Sequence, residues 1–155
     1  MSEDETTALV CPVRHVIASS LPYSTPKAFC TECGKPAIDK CPACGASIPD
    51  SSPMWGGRWE PDKHCHACGA AYPWTVGAKQ AAEDLIDLLD SLKPEDREAL
   101  KLSLDDLMVD SGRTELVATR FKLIAKRAGS EGAGLVRAVV TSLATDAAKR
   151  TILGC

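Results

Sequence analysis

The chain has 155 residues, of which 18 are basic and 21 acidic, for a formal net charge of −3. So even a balance does not by itself mark a nucleic-acid or acidic-partner surface. No apolar run approaches the roughly 18 residues that a membrane helix requires, and the length allows one domain or two small ones.

Residues 1–10 read as a polar tail, and its acidic start, Met1-Ser2-Glu3-Asp4-Glu5, is followed by no apolar signal core. The expectation is a cytoplasmic chain whose cysteines stay reduced and bind metal rather than forming disulfides. Cys11-Pro12-Val13-Arg14-His15 sets a thiol and an imidazole four apart, within reach of one ion. Val16 and Ile17 continue as a short β-prone run, and Ser19-Ser20-Leu21-Pro22 turns the chain back.

Three copies of one unit follow: Cys30-Thr31-Glu32-Cys33-Gly34, Cys41-Pro42-Ala43-Cys44-Gly45 and Cys65-His66-Ala67-Cys68-Gly69. Two thiolates three apart on a tight turn can grip one metal ion, and the glycine lets the backbone take a positive φ behind the second ligand. A lone Cys-x-x-Cys is also a redox motif, but three in tandem, each followed by glycine, point to zinc. Three pairs supply six donors, which do not divide into tetrahedral sets of four. Cys11 and His15 close the count at eight donors for two Zn²⁺. Sequential use is favoured, with Cys11, His15, Cys30 and Cys33 on one ion and Cys41, Cys44, Cys65 and Cys68 on the other. A crossed arrangement, first pair with third and second with fourth, is the competitor.

Residues 46–63 are rich in Pro, Gly and Ser and carry Met54-Trp55-Gly56-Gly57-Arg58-Trp59. Trp55, Arg58 and Trp59 could form a stacking platform for bases or an anchor for a protein partner; otherwise the tryptophans pack as a substitute core. His64 and His66 flank Cys65 and read as surface residues, since eight better-placed donors complete both sites. Trp74 is expected to wedge the two halves together. Apolar residues are thin throughout this half, so bound metal must supply much of its folding energy, ~10–16 kcal/mol per structural ion.

Beyond Pro73-Trp74-Thr75 the period becomes helical. Thr75 reads as the N-cap of a helix reaching Leu92, with Ala78, Ala81, Ala82, Leu85, Ile86, Leu88, Leu89 and Leu92 on one face. Pro94 opens a second, shorter helix through about Lys101. Ser103-Leu104-Asp105-Asp106 resembles a capping box for a further brief turn. A third helix spans Thr114 to Ala128 and stops at Gly129. After a flexible Ser130-Glu131-Gly132, a last helix runs from Ala133 to about Leu153.

The halves of this region differ in charge, with four basic and ten acidic side chains in residues 76–110 against eight and three in residues 111–155. Arg113, Arg120 and Arg127 fall within the arc that also carries Leu116, Val117, Leu123 and Ile124. They make either an anion-binding groove or ion pairs with the acidic helices at the core's edge.

The cysteine region resembles a bacterial family filed as a domain of unknown function. Its members show a Cys-x-x-x-His start, Phe-Cys-x-x-Cys-Gly, Cys-Pro-x-Cys-Gly, and then Cys-x-x-Cys-Gly-x-x-Tyr-Pro-Trp-Thr before a helical tail. Here those stand as Cys11 to His15, Phe29 to Gly34, Cys41 to Gly45 and Cys65 to Thr75. Val13-Arg14 replaces the Asn-Gly that the family tends to carry before the histidine. The resemblance supports the eight-donor count and implies no activity.

The expected architecture is therefore a small zinc-stabilised β module of tandem ribbons over residues 1–75, joined to an all-α helical bundle over 76–155. The leading functional reading is a non-enzymatic adaptor for a protein partner, its helical half docking or forming a homo-oligomer. A nucleic-acid-binding zinc ribbon is the alternative, weakened by six basic against eight acidic residues in 1–75. A metalloenzyme would need an open metal position or a nucleophile–base pair, and neither motif is visible.

Overall fold

A computed structural model describes residues 7–21, 29–50 and 59–154. The chain divides into two compact units, Met1–Gly77 and Ala78–Cys155.

In the first unit, β1 (Thr7–Val10) and β2 (Val16–Leu21) form an antiparallel pair around the Cys11–His15 turn, in register Thr7↔Leu21, Leu9↔Ala18 and Val10↔Val16. The other edge of β1 is tied to the middle of the unit by backbone bonds. The Ala8 N–H donates to Ile48 O at 2.9 Å, and Val10 and Ile38 exchange bonds of 2.9 and 2.8 Å. Alternation along β1 puts Ala8 and Val10 on one face, where they join Ile48, Tyr72, Trp74, Cys41 and Cys65 in a small core. Tyr72 and Trp74 stack with centroids 4.6 Å apart. The Trp74 indole donates to Asp62 O at 2.9 Å. Expected as a wedge between the halves, Trp74 is instead a core residue of this unit, and Trp59 packs half-buried against the same cluster. Trp55, Arg58 and Cys155 lie outside the described residues.

Helix α1 (Pro73–Asp87) starts in the first unit and continues into the second. It begins three residues earlier than expected, because proline suits the first turn and Thr75 is not a cap: its hydroxyl donates to Lys63 O at 2.8 Å. It also ends earlier. Leu89 and Leu92 are buried, but in the turn that follows.

The second unit continues with α2 (Pro94–Leu107), α3 (Thr114–Lys126), α4 (Gly129–Ser142) and α5 (Asp146–Leu153). Helix α3 is central, packing against α2, α4 and α5, with Val117, Ala118, Phe121 and Ala125 buried. Around it gather Ile86, Leu100, Leu104, Leu107, Leu135, Val139, Ala148 and Ile152.

Three expectations are corrected here. The capping-box turn at Ser103 does not form, and α2 runs through it. Ser103 Oγ instead donates to Ala99 O at 2.8 Å, one turn back, while Leu104 and Leu107 extend the buried stripe. Ser130-Glu131-Gly132 is not a loop but the first turn of α4. The single helix expected over 133–153 breaks at Leu143–Thr145, because Thr145 caps α5 by accepting from the Ala148 N–H at 3.4 Å. Among the described residues no helix is long and apolar enough to cross a membrane.

Candidate metal centres

Each Cys-x-x-Cys unit is built from the same two backbone bonds. The first cysteine's N–H donates to the carbonyl five residues on: Cys30 to Lys35 at 2.9 Å, Cys41 to Ala46 and Cys65 to Ala70 at 2.8 Å. Its carbonyl accepts from the glycine four residues on, from Gly34 and Gly45 at 2.8 Å and from Gly69 at 2.9 Å. Closing that turn puts the glycines at φ 71°, 78° and 75°, where a side chain is disfavoured. The flanking bridges Phe29↔Pro36, Lys40↔Ser47 and His64↔Ala71 complete three short hairpins.

The Cys11–His15 turn is the same device shortened by one residue. The Cys11 N–H donates to His15 O at 3.0 Å, and the Arg14 N–H to Cys11 O at 2.9 Å. Arg14 fills the glycine's role at φ 81°, the one non-glycine residue with positive φ among those described. Its guanidinium binds Glu60 at 3.1 Å and Pro61 O at 3.3 Å, tethering the first turn to the segment before the last one.

The four turns gather in sequence order. Cys11, His15, Cys30 and Cys33 form one cluster and Cys41, Cys44, Cys65 and Cys68 the other, with the donor atoms of each set within 4.8 Å of one another. Of the two groupings left open by spacing, this structure adopts the sequential one. In the first cluster Cys33 Sγ lies 3.6 Å from Cys11 Sγ, and Cys30 Sγ lies 3.4 Å from His15 Nδ1. In the second, Cys41 and Cys68 are 3.8 Å apart and Cys44 and Cys65 are 3.7 Å apart. A disulfide needs about 2.05 Å, so these are separate thiols. A tetrahedron with metal–sulfur bonds of about 2.3 Å has edges of ~3.8 Å, and ~3.5 Å where one donor is nitrogen. The four separations of 3.4–3.8 Å match the edges of such a tetrahedron.

Within each Cys-x-x-Cys turn the first cysteine is buried and the second exposed; Cys11 is fully buried as well. Backbone N–H groups point at the buried sulfurs: His15 N–H to Cys11 Sγ at 3.3 Å, and Ala67 N–H to Cys65 Sγ at 3.4 Å. The electrostatics follow. At Cys30 burial opposes ionisation, but the N–H groups of Cys33 and Glu32, with His15, bring the thiol down to about 7. At Cys65 the N–H groups of Cys68 and Ala67 bring it to about 6. At Cys44 the Ala46 N–H favours the thiolate, but burial and three neighbouring thiols outweigh it and push the group up to about 12. Four sulfurs crowded together cannot all ionise unless a cation joins them. Each cluster could hold one metal ion.

Tyr72 lies beside this second cluster, 1 % exposed, its hydroxyl close to Cys65. Burial foremost, then the Cys65 and Cys41 charges, raise its pKa well above the usual tyrosine range. Sequence reasoning did not single it out, although Tyr72-Pro73-Trp74 belongs to the motif that carries the family resemblance. His64 and His66 are exposed and outside both clusters.

The arginine row takes neither expected form in full. Arg113, Arg120 and Arg127 are all exposed. Arg127 pairs with Asp96 of α2 at 2.6 Å. The leucines between them, Leu116 and Leu123, face water rather than the core.

No curated protein and no solved structure matches the chain. A family pattern does, over residues 4–152 and so across both units. The chain, with its two donor clusters, belongs to the family described as "Uncharacterized protein conserved in bacteria (DUF2321)".

Proposed function

We propose that this is a non-enzymatic, zinc-stabilised interaction protein of the bacterial cytoplasm. Two Zn²⁺ ions hold residues 11–75 as tandem zinc ribbons, and the helical unit offers its surface to a protein partner. The observation that carries the reading is the division of eight donors into two closed sets of four at tetrahedral-edge spacing. A catalytic zinc keeps a position for water or substrate, whereas four protein ligands leave none. Thiolate-rich donors of this kind favour zinc over the hard cations. Cys11, His15, Cys30 and Cys33 would hold one ion; Cys41, Cys44, Cys65 and Cys68 would hold the other. The ions would supply the cross-links that a core as small as Ala8, Val10, Ile48, Tyr72 and Trp74 cannot replace.

Three thiolates and an imidazole leave one loaded site at −1, and four thiolates leave the other at −2. Added to an already slightly acidic segment, this disfavours phosphate binding and favours a protein partner. Native mass spectrometry tests the metal reading. Two Zn²⁺ per chain are expected, both removed by a strong chelator with loss of the amide dispersion of residues 11–75. One ion, or a metal-free oxidised chain, would refute it. Titration with single- and double-stranded DNA and RNA at two salt concentrations tests the partner class. Submicromolar, salt-sensitive binding would replace the adaptor reading with the nucleic-acid one.

A further inference from the structure

Helices α2 and α3 each turn an outer face to solvent, and the two faces are complementary. Along α3 and its N-cap, Arg113, Leu116, Arg120, Leu123 and Arg127 recur at alternating steps of three and four, all exposed. Along α2 and the turn after it, Glu95, Glu98, Leu102, Asp105 and Val109 recur at the same steps, all exposed. Each row carries two large apolar residues in water, Leu116 at 50 % and Leu123 at 57 % exposure on one, Leu102 at 69 % and Val109 at 52 % on the other. Steps of three and four make the seam of a seven-residue repeat, along which two helices lie side by side. One row is basic, the other acidic.

The folding of the chain does not explain these side chains. The cores of α2 and α3 are filled from their other faces, by Leu100, Leu104 and Leu107 and by Val117, Phe121 and Ala125. Two of the charges already have partners within the chain, Asp105 with Lys79 at 2.7 Å and Arg127 with Asp96 at 2.6 Å. The four apolar members each leave half or more of their surface to solvent.

Several occupants can be compared by what they would leave uncovered. A nucleic acid would engage the arginines and leave Leu116 and Leu123 wet. A foreign acidic helix would cover the α3 row and leave Leu102 and Val109 exposed on α2. A second copy of this chain answers both, because each copy presents the partner that the other's row requires. We infer that the α3 row of one copy docks along the α2 row of another. The inference names the partner within the interaction reading and rests on that reading only in taking protein binding as the chain's task. Reciprocal docking closes a pair; one-way docking extends a chain.

The test is sedimentation velocity on the full zinc-loaded protein over a concentration series, at low and high salt. Self-association is expected, weaker at high salt as opposed charges are screened. Leu123→Asp, at an exposed position that leaves helicity by circular dichroism unchanged, should weaken it by roughly 30-fold or more, as loss of an interface anchor does. The pair Arg113→Glu/Arg120→Glu should weaken it, as should Glu95→Lys/Glu98→Lys. Mixing those two double variants should restore a mixed complex, which a merely structural defect would not do. A chain that carries two Zn²⁺ but stays monomeric at every concentration overturns the inference while leaving the metal reading intact. Association untouched by these substitutions overturns it equally.

Discussion

Replacing Gly45 with alanine isolates what the backbone contributes to holding the second cluster. Gly45 follows Cys44 with φ 78°, and its N–H closes the turn onto Cys41 O at 2.8 Å. A β-carbon built there would meet nothing within 4 Å. Crowding therefore contributes nothing, and the cost is that of an L-residue in the left-handed region, ~1–2 kcal/mol. Alanine also narrows the unfolded chain's freedom, which offsets ~0.4–1 kcal/mol of that. The net is about 1 kcal/mol. Closing the turn and binding the ion are one equilibrium, so the penalty should appear as a roughly fivefold weaker hold on that ion.

Competition against a chromophoric chelator reads the change, with the ions counted by native mass spectrometry. The cluster of Cys11, His15, Cys30 and Cys33 does not use Gly45 and serves as the internal control. Its Arg14, at φ 81°, already shows a side chain carried at the corresponding place. Complete loss of the second ion would refute the reasoning, since it would mean that Gly45 is packed against something. An unchanged affinity would refute it from the other side, by showing that the turn does not hold residue 45 left-handed.

Two glycines of α4 should respond in opposite directions. A β-carbon at Gly132 would lie 1.8 Å from Ala125 O and 2.8 Å from its carbonyl carbon, so α3 and α4 must move apart. Gly132→Ala should destabilise the helical unit by ~3 kcal/mol, the upper end of overpacking costs. Gly134 meets nothing, and Gly134→Ala should stabilise by ~0.5–1 kcal/mol; urea denaturation followed by circular dichroism would expose an equal or reversed pair. For pH, Lys79 and Lys101 hydrogen-bond Asp105 and Asp87, and those bonds foremost raise both ammonium pKa values. A raised folded value means a contribution present below the unfolded lysine pKa and lost as pH rises through the folded one. The helical unit should thus weaken in an alkaline window starting near pH ~10.4, and Lys101→Met should flatten that limb; a change confined to acid pH would contradict the assignment.

The donors were legible because metal-binding chemistry is local. A Cys-x-x-Cys-Gly turn is closed by two bonds among six residues, so its spacing announces it. Which turns share an ion was favoured in the sequence, as the sequential pairing, but not fixed by spacing. That depends on Val10 bonding Ile38 and Ala8 bonding Ile48, pairings far apart in the chain that no short pattern encodes. The same limit explains the helix ends. Ser103 and Thr145 carry the same kind of hydroxyl. One is overridden because Leu104 and Leu107 continue a buried stripe, and the other caps because the buried Leu143 and Ala144 end one. Periodicity failed most usefully on α3. A helical wheel merged Leu116, Val117, Leu123 and Ile124 into one apolar arc and set the arginines among them, as a groove or as ion pairs at the core's edge. In the structure that arc is two faces: Val117 is buried and Ile124 half-buried, while Leu116 and Leu123 stand in water between arginines. A periodic pattern records where apolar residues recur, not whether the same chain covers them. Those left uncovered on α2 and α3 are therefore a part of the sequence that folding does not account for, and binding is a pressure that would keep them.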